Sequence, residues 1–170
     1  MYNLNWKKYT GENIDSVASY IKEWIDSNPH GNIIVGCDSQ KHSKYVKYSV
    51  SIAMHMIDEF GIGHGAHVIF ANHHETAKHL KHDIRAKLDI ETFITLEVVN
   101  EITPALGDVK SKLSVHLDYN SDPKYYSNKL YENLGYFTGM GIKAFGKPNA
   151  YVASHASDAL CKNKQAKGVH

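Results

Sequence analysis

Four carboxylates in this chain stand at positions that a folded protein does not usually give to carboxylates without a reason. In "NIIVGCDSQ", residues 32–40, a continuous apolar run ends on Asp38. In "KLSVHLDY" the apolar residues Leu113, Val115 and Leu117 lead in the same way to Asp118. Sites in open α/β sheets form beyond the carboxyl ends of strands, so two central strands that each end in Asp can aim both side chains at one point. Taken singly, either Asp could instead open a turn or cap a helix. Glu91 is harder to explain in that way. At 100° per residue it lies within roughly 20° of Ile84 and Ile102, in the middle of the apolar face of a helix, whereas Glu97 and Glu101 fall well off it. A carboxylate turned toward a sheet is costly unless it is paired or binds a cation. The fourth, Asp158, follows His155 at helical spacing, with Ala153, Ala156 and Ala159 keeping that region slim.

Asp38, Glu91, Asp118 and Asp158, with His155 beside them, make a set of hard oxygen ligands that suits Mg²⁺ or Mn²⁺ better than Zn²⁺. Phosphodiester hydrolysis uses such a set, because two cations about 4 Å apart activate the attacking water and stabilise the leaving oxygen. His155 is expected to serve as a ligand or as a proton shuttle for the leaving group. Lys41 and Lys44, just after "DSQ", and Lys147, before Pro148, are candidates for phosphate contacts.

The elements that must position these residues can be read from periodicity. Thr10 or Asn13 to about Asp26 places Ile14, Val17, Ile21 and Ile25 on one helical face, stopped by "SNPHG". "NIIVGC", "YVKYSVSIAMHMI" and "GAHVIFANH" read as three strands of an antiparallel meander, the last two joined by the Gly-rich "EFGIGHG". A long helix over 84–102 follows, with Pro104 as its stop. Then come a strand at "KLSVHLDY", a helix at "PKYYSNKLYENLGYF", a short strand at "GIKAFG" and a last helix at "AYVASHASDALCK". This order predicts an α/β mixed sheet of five strands with helices packed on it. No linker or repeat divides the chain, so one domain is expected over 1–170, with a helical region in 1–30 and a flexible tail at 163–170.

Composition narrows the function classes. The chain has 170 residues, 42% apolar and 22% charged, enough for a core without disulfides. Its net charge of +1 gives no global cationic field, so any site for a polyanion must be local. The absence of a signal-like or membrane-length apolar run points to a soluble, cytoplasmic protein with no membrane partner. Cys37 and Cys161 are too few for a disulfide framework and are expected to be reduced thiols.

Six of the twelve His residues fall between 64 and 82: His64, His67, His73, His74, His79 and His82. His74 and His79 are five apart, about 140° on a helix, so they cannot share one Zn²⁺ in the manner of a metalloprotease helix. A solvated, pH-sensitive loop and helix start is the plainer reading of that stretch. "GIGHG" lacks the residues of a phosphate-binding loop and reads as a turn. Tyr125, Tyr126, Tyr131, Tyr136 and Phe137 could stack on bases, but at helical spacing they are more often core.

"VGCDSQ", "DIETFITLEVV", "VHLDYN" and "KPNAYVASHASDAL" resemble the YkuK-like family of ribonuclease H-related proteins over nearly the whole chain. "HASDAL" is also similar to a stretch of the RuvC-type Holliday-junction resolvases. The resemblance implies a ribonuclease H-like fold, with a five-stranded mixed sheet and helices on both faces. It also implies a metal-dependent nuclease acting on DNA or RNA, with the acidic residues at Asp38, Glu91, Asp118 and Asp158. The near-neutral charge, and the lack of the basic protrusion with which ribonuclease H enzymes often grip a hybrid, also fit an alternative. That alternative is a nucleic-acid-binding or assembly module that keeps the fold without turnover.

Overall fold

The computed structural model describes residues 2–76, 80, 82–119, 127–147 and 149–150. It opens with a short ribbon, β1 (Trp6–Lys8) and β2 (Asn13–Ile14), paired antiparallel as Trp6↔Ile14 and Lys7↔Asn13. Gly11 makes the reversal at φ 91°, a conformation that side chains with a Cβ rarely adopt, and its N–H bonds the Lys8 carbonyl at 2.9 Å. The helix expected from Thr10 or Asn13 therefore starts later, as α1 (Val17–Ser27). The reason is local: Ser16 caps it, its hydroxyl accepting from Ser19 N at 3.3 Å, which leaves Ile14 to the ribbon. Val17, Ile21 and Ile25 are its buried face.

The remaining strands are β3 (Asn32–Lys41), β4 (Val46–Ile57), β5 (Gly63–Glu75), β6 (Leu113–Leu117) and β7 (Lys143–Phe145). Together they form one mixed seven-stranded sheet in the order β2-β1-β5-β4-β3-β6-β7. β3, β4 and β5 are the expected antiparallel meander, and β6 runs parallel to both β3 and β7. The two strands beyond the expected five are β1 and β2, which extend the edge of β5 through Lys7↔Phe70 and Lys8↔Ile69. Runs so short carry no readable alternation, which is why periodicity does not identify them.

Register separates the two faces of the sheet. Ile33, Val35 and Cys37 of β3, Tyr48, Val50 and Ile52 of β4, Ile69 and Ala71 of β5, and Val115 and Leu117 of β6 share one face and the main core. α1, α2 (Ile84–Leu106) and α3 (Ser127–Gly139) all contribute to that core. The three described helices thus pack on the same face of the sheet, and the expected last helix and the tail at 163–170 lie outside the described residues. The opposite face carries a smaller cluster of Ile34 and Ala53, with Val68 against it.

Asp83 caps α2, its carboxylate accepting from Ala86 N at 2.9 Å. The helix runs through Pro104 and does not stop there. The carbonyl that loses its donor belongs to Asn100, an exposed residue that water can serve, while Ile102 and Leu106 on either side of the proline are buried. Ile84, placed on the apolar face from periodicity, is 46% exposed, as its neighbours Asp83 and Arg85 are also exposed.

Candidate active site at the ends of two parallel strands

The last registered pair of β3 and β6 is Cys37↔Leu117. One residue further along each chain segment stand Asp38 and Asp118, on neighbouring segments about 4.8 Å apart. Asp118 follows the end of β6, but Asp38 does not end its strand as the sequence suggests, because β3 goes on to pair with β4 as far as Lys41. By alternation Asp38 leaves the sheet on the side opposite Cys37. Asp38 Oδ1 accepts from Ser39 N at 2.8 Å. Ser39 points the other way, toward α2, and its hydroxyl donates to Glu91 Oε1 at 2.5 Å.

Glu91 is buried at 3% exposure, and its second oxygen, Oε2, is buried without a hydrogen-bond partner. Its pKa is raised well above the ordinary carboxylate range, first by burial and then by the negative charge of Asp38. Asp118 adds to the rise, while the Ser39 hydrogen bond and Lys87 oppose it. A buried carboxylate oxygen without a partner, in the field of two more negative charges, is costly as it stands, and a hard cation is the kind of ligand that would satisfy it.

Lys147 also reaches this point, with Nζ 2.7 Å from Asp118 Oδ1. Its backbone is tied to the strand end by Lys147 N donating to the Tyr119 carbonyl at 3.1 Å. Among the described residues no three His, Cys, Asp or Glu side chains lie close enough together to ligate one ion. His155 and Asp158 fall outside the described residues. Lys41 and Lys44 are exposed at the β3–β4 turn, beyond Asp38 at the same end of the sheet.

Sequence reasoning missed what holds this end together. Tyr119, buried just after Asp118, places its hydroxyl against Thr92 Oγ1 at 2.6 Å and against the Leu88 carbonyl. Asn133 Nδ2 donates to the same hydroxyl at 3.1 Å. One phenol thereby joins the end of β6 to α2, one turn from Glu91, and to α3. Burial and the Glu91 charge raise its pKa, so it stays protonated. The only signal in the sequence is an aromatic next to a strand-end Asp, which does not reveal a partner 27 residues away.

Other expectations from the sequence are redistributed. His64, His67, His73 and His74 lie on β5, not in a loop or helix start, and His79 is outside the described residues. His64 pairs with Asp58 at 2.7 Å and His73 with Glu75 at 3.0 Å, so these carboxylates are engaged within the β4–β5 hairpin. Of the aromatics on α3, Phe137 is core, but Tyr131 and Tyr136 are 68% and 44% exposed. Tyr125 and Tyr126 are outside the described residues.

Comparison with known proteins agrees with this architecture. A family model described as ribonuclease H-like matches residues 14–162. The chain is also 27% identical over 176 residues to the Bacillus subtilis (strain 168) "Uncharacterized protein YkuK", covering 95% of this chain and 96% of that protein. Among the described residues no helix is long and apolar enough to cross a membrane.

Proposed function

Because the chain belongs to the ribonuclease H-like family, we propose that it is a metal-dependent nuclease that hydrolyses phosphodiester bonds of DNA or RNA. The observation that carries this reading is Glu91, buried with one oxygen unpartnered and within reach of the charges of Asp38 and Asp118, which stand where the parallel pairing of β3 and β6 ends. Asp38, Glu91, Asp118 and Asp158 would hold Mg²⁺ or Mn²⁺. When bound, a pair of such ions supplies charge stabilisation at the phosphate and a nucleophilic water at neutral pH. The chain's own part is to fix Asp38 and Asp118 at the edge of the β3–β6 pairing, to hold α2 and with it Glu91 in place through Tyr119, and to offer His155 as a ligand or as a proton shuttle for the leaving oxygen. Lys41, Lys44 and Lys147 would orient the phosphates of the substrate.

The test is cleavage of single-stranded, duplex, hybrid and branched substrates in Mn²⁺ and Mg²⁺ by the purified chain and by Asp38→Asn. The variant is expected to lose at least about a thousandfold in rate while remaining folded. Cutting that survives Asp38→Asn, or no cutting of any substrate by the natural chain, overturns the enzymatic reading.

A nucleic-acid-binding or assembly role without turnover is the second reading. The Lys147–Asp118 pair favours it, since one carboxylate of the site already has a cation. Binding that persists in Asp38→Asn, with no cutting by either protein, would select it.

A further inference from the structure

The turn between β3 and β4 combines charge and rings in a way that the carboxylate site does not account for. Residues 41–47, "KHSKYVK", hold Lys41, Lys44 and Lys47 and no carboxylate, in a chain whose net charge is only +1. His42 N donates to the Tyr45 carbonyl at 2.8 Å and closes the turn. That closure sets the two rings parallel, with centroids 4.7 Å apart and planes 20° apart. The exposed His74 of β5 meets Tyr45 edge-on, at 4.9 Å and 81°. Its partial burial, with Lys47, His73 and His42 nearby, lowers the His74 pKa and so favours the uncharged ring.

This ring cluster is placed relative to the site by register. Asp38, Lys47 and His74 lie on the same face of the sheet, through Asp38↔Ser49, Ser49↔Asn72 and Lys47↔His74. Lys41 is three residues past Asp38, about 10 Å along the strand. A basic groove with stackable rings is the means by which proteins hold single strands, because every unpaired base has a π face. In a duplex the bases are stacked on each other and cannot reach a side-chain ring.

We propose that the tip of the β3–β4 hairpin, Lys41, His42, Lys44 and Tyr45 with His74 beside it, is a stacking platform for unpaired bases of a single-stranded nucleic acid. The strand lies next to the phosphate held at Asp38 and Asp118. The substrate is therefore a single strand or carries unpaired nucleotides beside the scissile bond. This deepens the nuclease reading and rests on it for the position of that bond.

The experiment is fluorescence anisotropy in EDTA, so that no cutting occurs. The probes are labelled DNA and RNA strands of about 20 nucleotides and their blunt duplexes. The natural chain is expected to prefer the single strands. Tyr45→Ala should weaken single-strand binding about tenfold and duplex binding by about twofold or less, while Tyr45→Phe retains the natural affinity. Tyr45→Leu, which fills the space without a π face, should behave like Tyr45→Ala and covers the case in which the alanine variant does not fold. Lys41→Ala with Lys44→Ala should reduce the salt dependence of single-strand binding by a slope of about 0.7 for each phosphate that no longer meets a lysine.

Equal losses on strand and duplex, no loss in Tyr45→Ala or Tyr45→Leu, or no binding of any probe by the natural chain would each overturn the platform. Cleavage plays no part in this readout. An inactive protein that still prefers single strands through Tyr45 would defeat the nuclease reading and leave the platform standing. An active protein indifferent to Tyr45 would do the reverse.

Discussion

The two halves of α2 cross the same sheet and bury different chemistry. The half nearer its C-terminus buries Val98, Val99, Ile102 and Leu106. The half nearer its N-terminus buries Glu91, Thr92 and Thr95 around Ile94. There the threonine hydroxyls turn back on their own helix, Thr92 to the Leu88 carbonyl at 3.0 Å and Thr95 to the Glu91 carbonyl at 2.8 Å. Glu91 has no such internal recourse for Oε2. Ordinary core packing anchors the helix at one end, and at the other a costly polar group is held near the point where β3 and β6 stop pairing. Rigidity made in the apolar half is what keeps the polar half in position.

The largest way to break this contrast is in the apolar half. Ile102→Ala removes a fully buried side chain from the middle of the core and should cost about 2–5 kcal/mol of stability. A denaturant titration would show the midpoint falling. If the loss is below about 1 kcal/mol, the C-terminal half does not anchor the helix.

Glu91→Gln should act in the opposite sense on the metal-free protein, raising stability at pH 7 by on the order of 1 kcal/mol because an ionisable group no longer has to be kept buried. The pH dependence sharpens the contrast. The folded-state pKa of Glu91 is raised above that of the unfolded chain, so between the two values the folded state binds more protons. Its contribution is fully present below the unfolded value and is lost as pH rises through the raised folded one. His116 works against this in mild acid. Burial lowers its pKa to about 4, so its contribution is lost as pH falls from the ordinary histidine range through about 4. Melting curves from pH 4 upward should therefore show, in the natural chain, a loss of stability as pH rises above the ordinary carboxylate range that disappears in Glu91→Gln, leaving the loss on the acid side from His116. Identical curves for the two proteins would mean that Glu91 is not strained by its surroundings.

Most of the scaffold behind this contrast is legible in the residues, because long alternating or helical runs report burial directly. The meander, the fourth central strand and α2 all rest on such runs. Glu91 is legible for the same reason, as a charge inside a periodic apolar face. The N-terminal ribbon is not, since its pairing with β5 joins residues more than 60 positions apart in strands too short to show a period. Tyr119 is not legible either, because its role depends on the Leu88 carbonyl, Thr92 and Asn133 meeting in space. The stacking of His42 on Tyr45 needs the turn geometry, and "HSKY" alone does not give it.

The smallest expected effect concerns the cation already present. Lys147 holds Asp118 at 2.7 Å, and its side chain is 44% exposed, so it can swing into solvent or toward a phosphate. A divalent ion entering beside Asp118 must compete with that ammonium for the same oxygens. A partly exposed pair of this kind contributes on the order of 0.2–1 kcal/mol, so Lys147→Ala should tighten Mn²⁺ binding by about 1.4- to fivefold. Calorimetric titration of the metal into the natural and variant proteins, without nucleic acid, reads this directly. The same variant should weaken binding of a nucleic acid, because one phosphate no longer meets an ammonium even as the metal binds more tightly. Tighter metal with weaker nucleic acid identifies Lys147 as a side chain shared between the two ligands. Unchanged metal affinity would mean that the ion pair closes only a surface, and that the polar half of α2 meets its cation without displacing one.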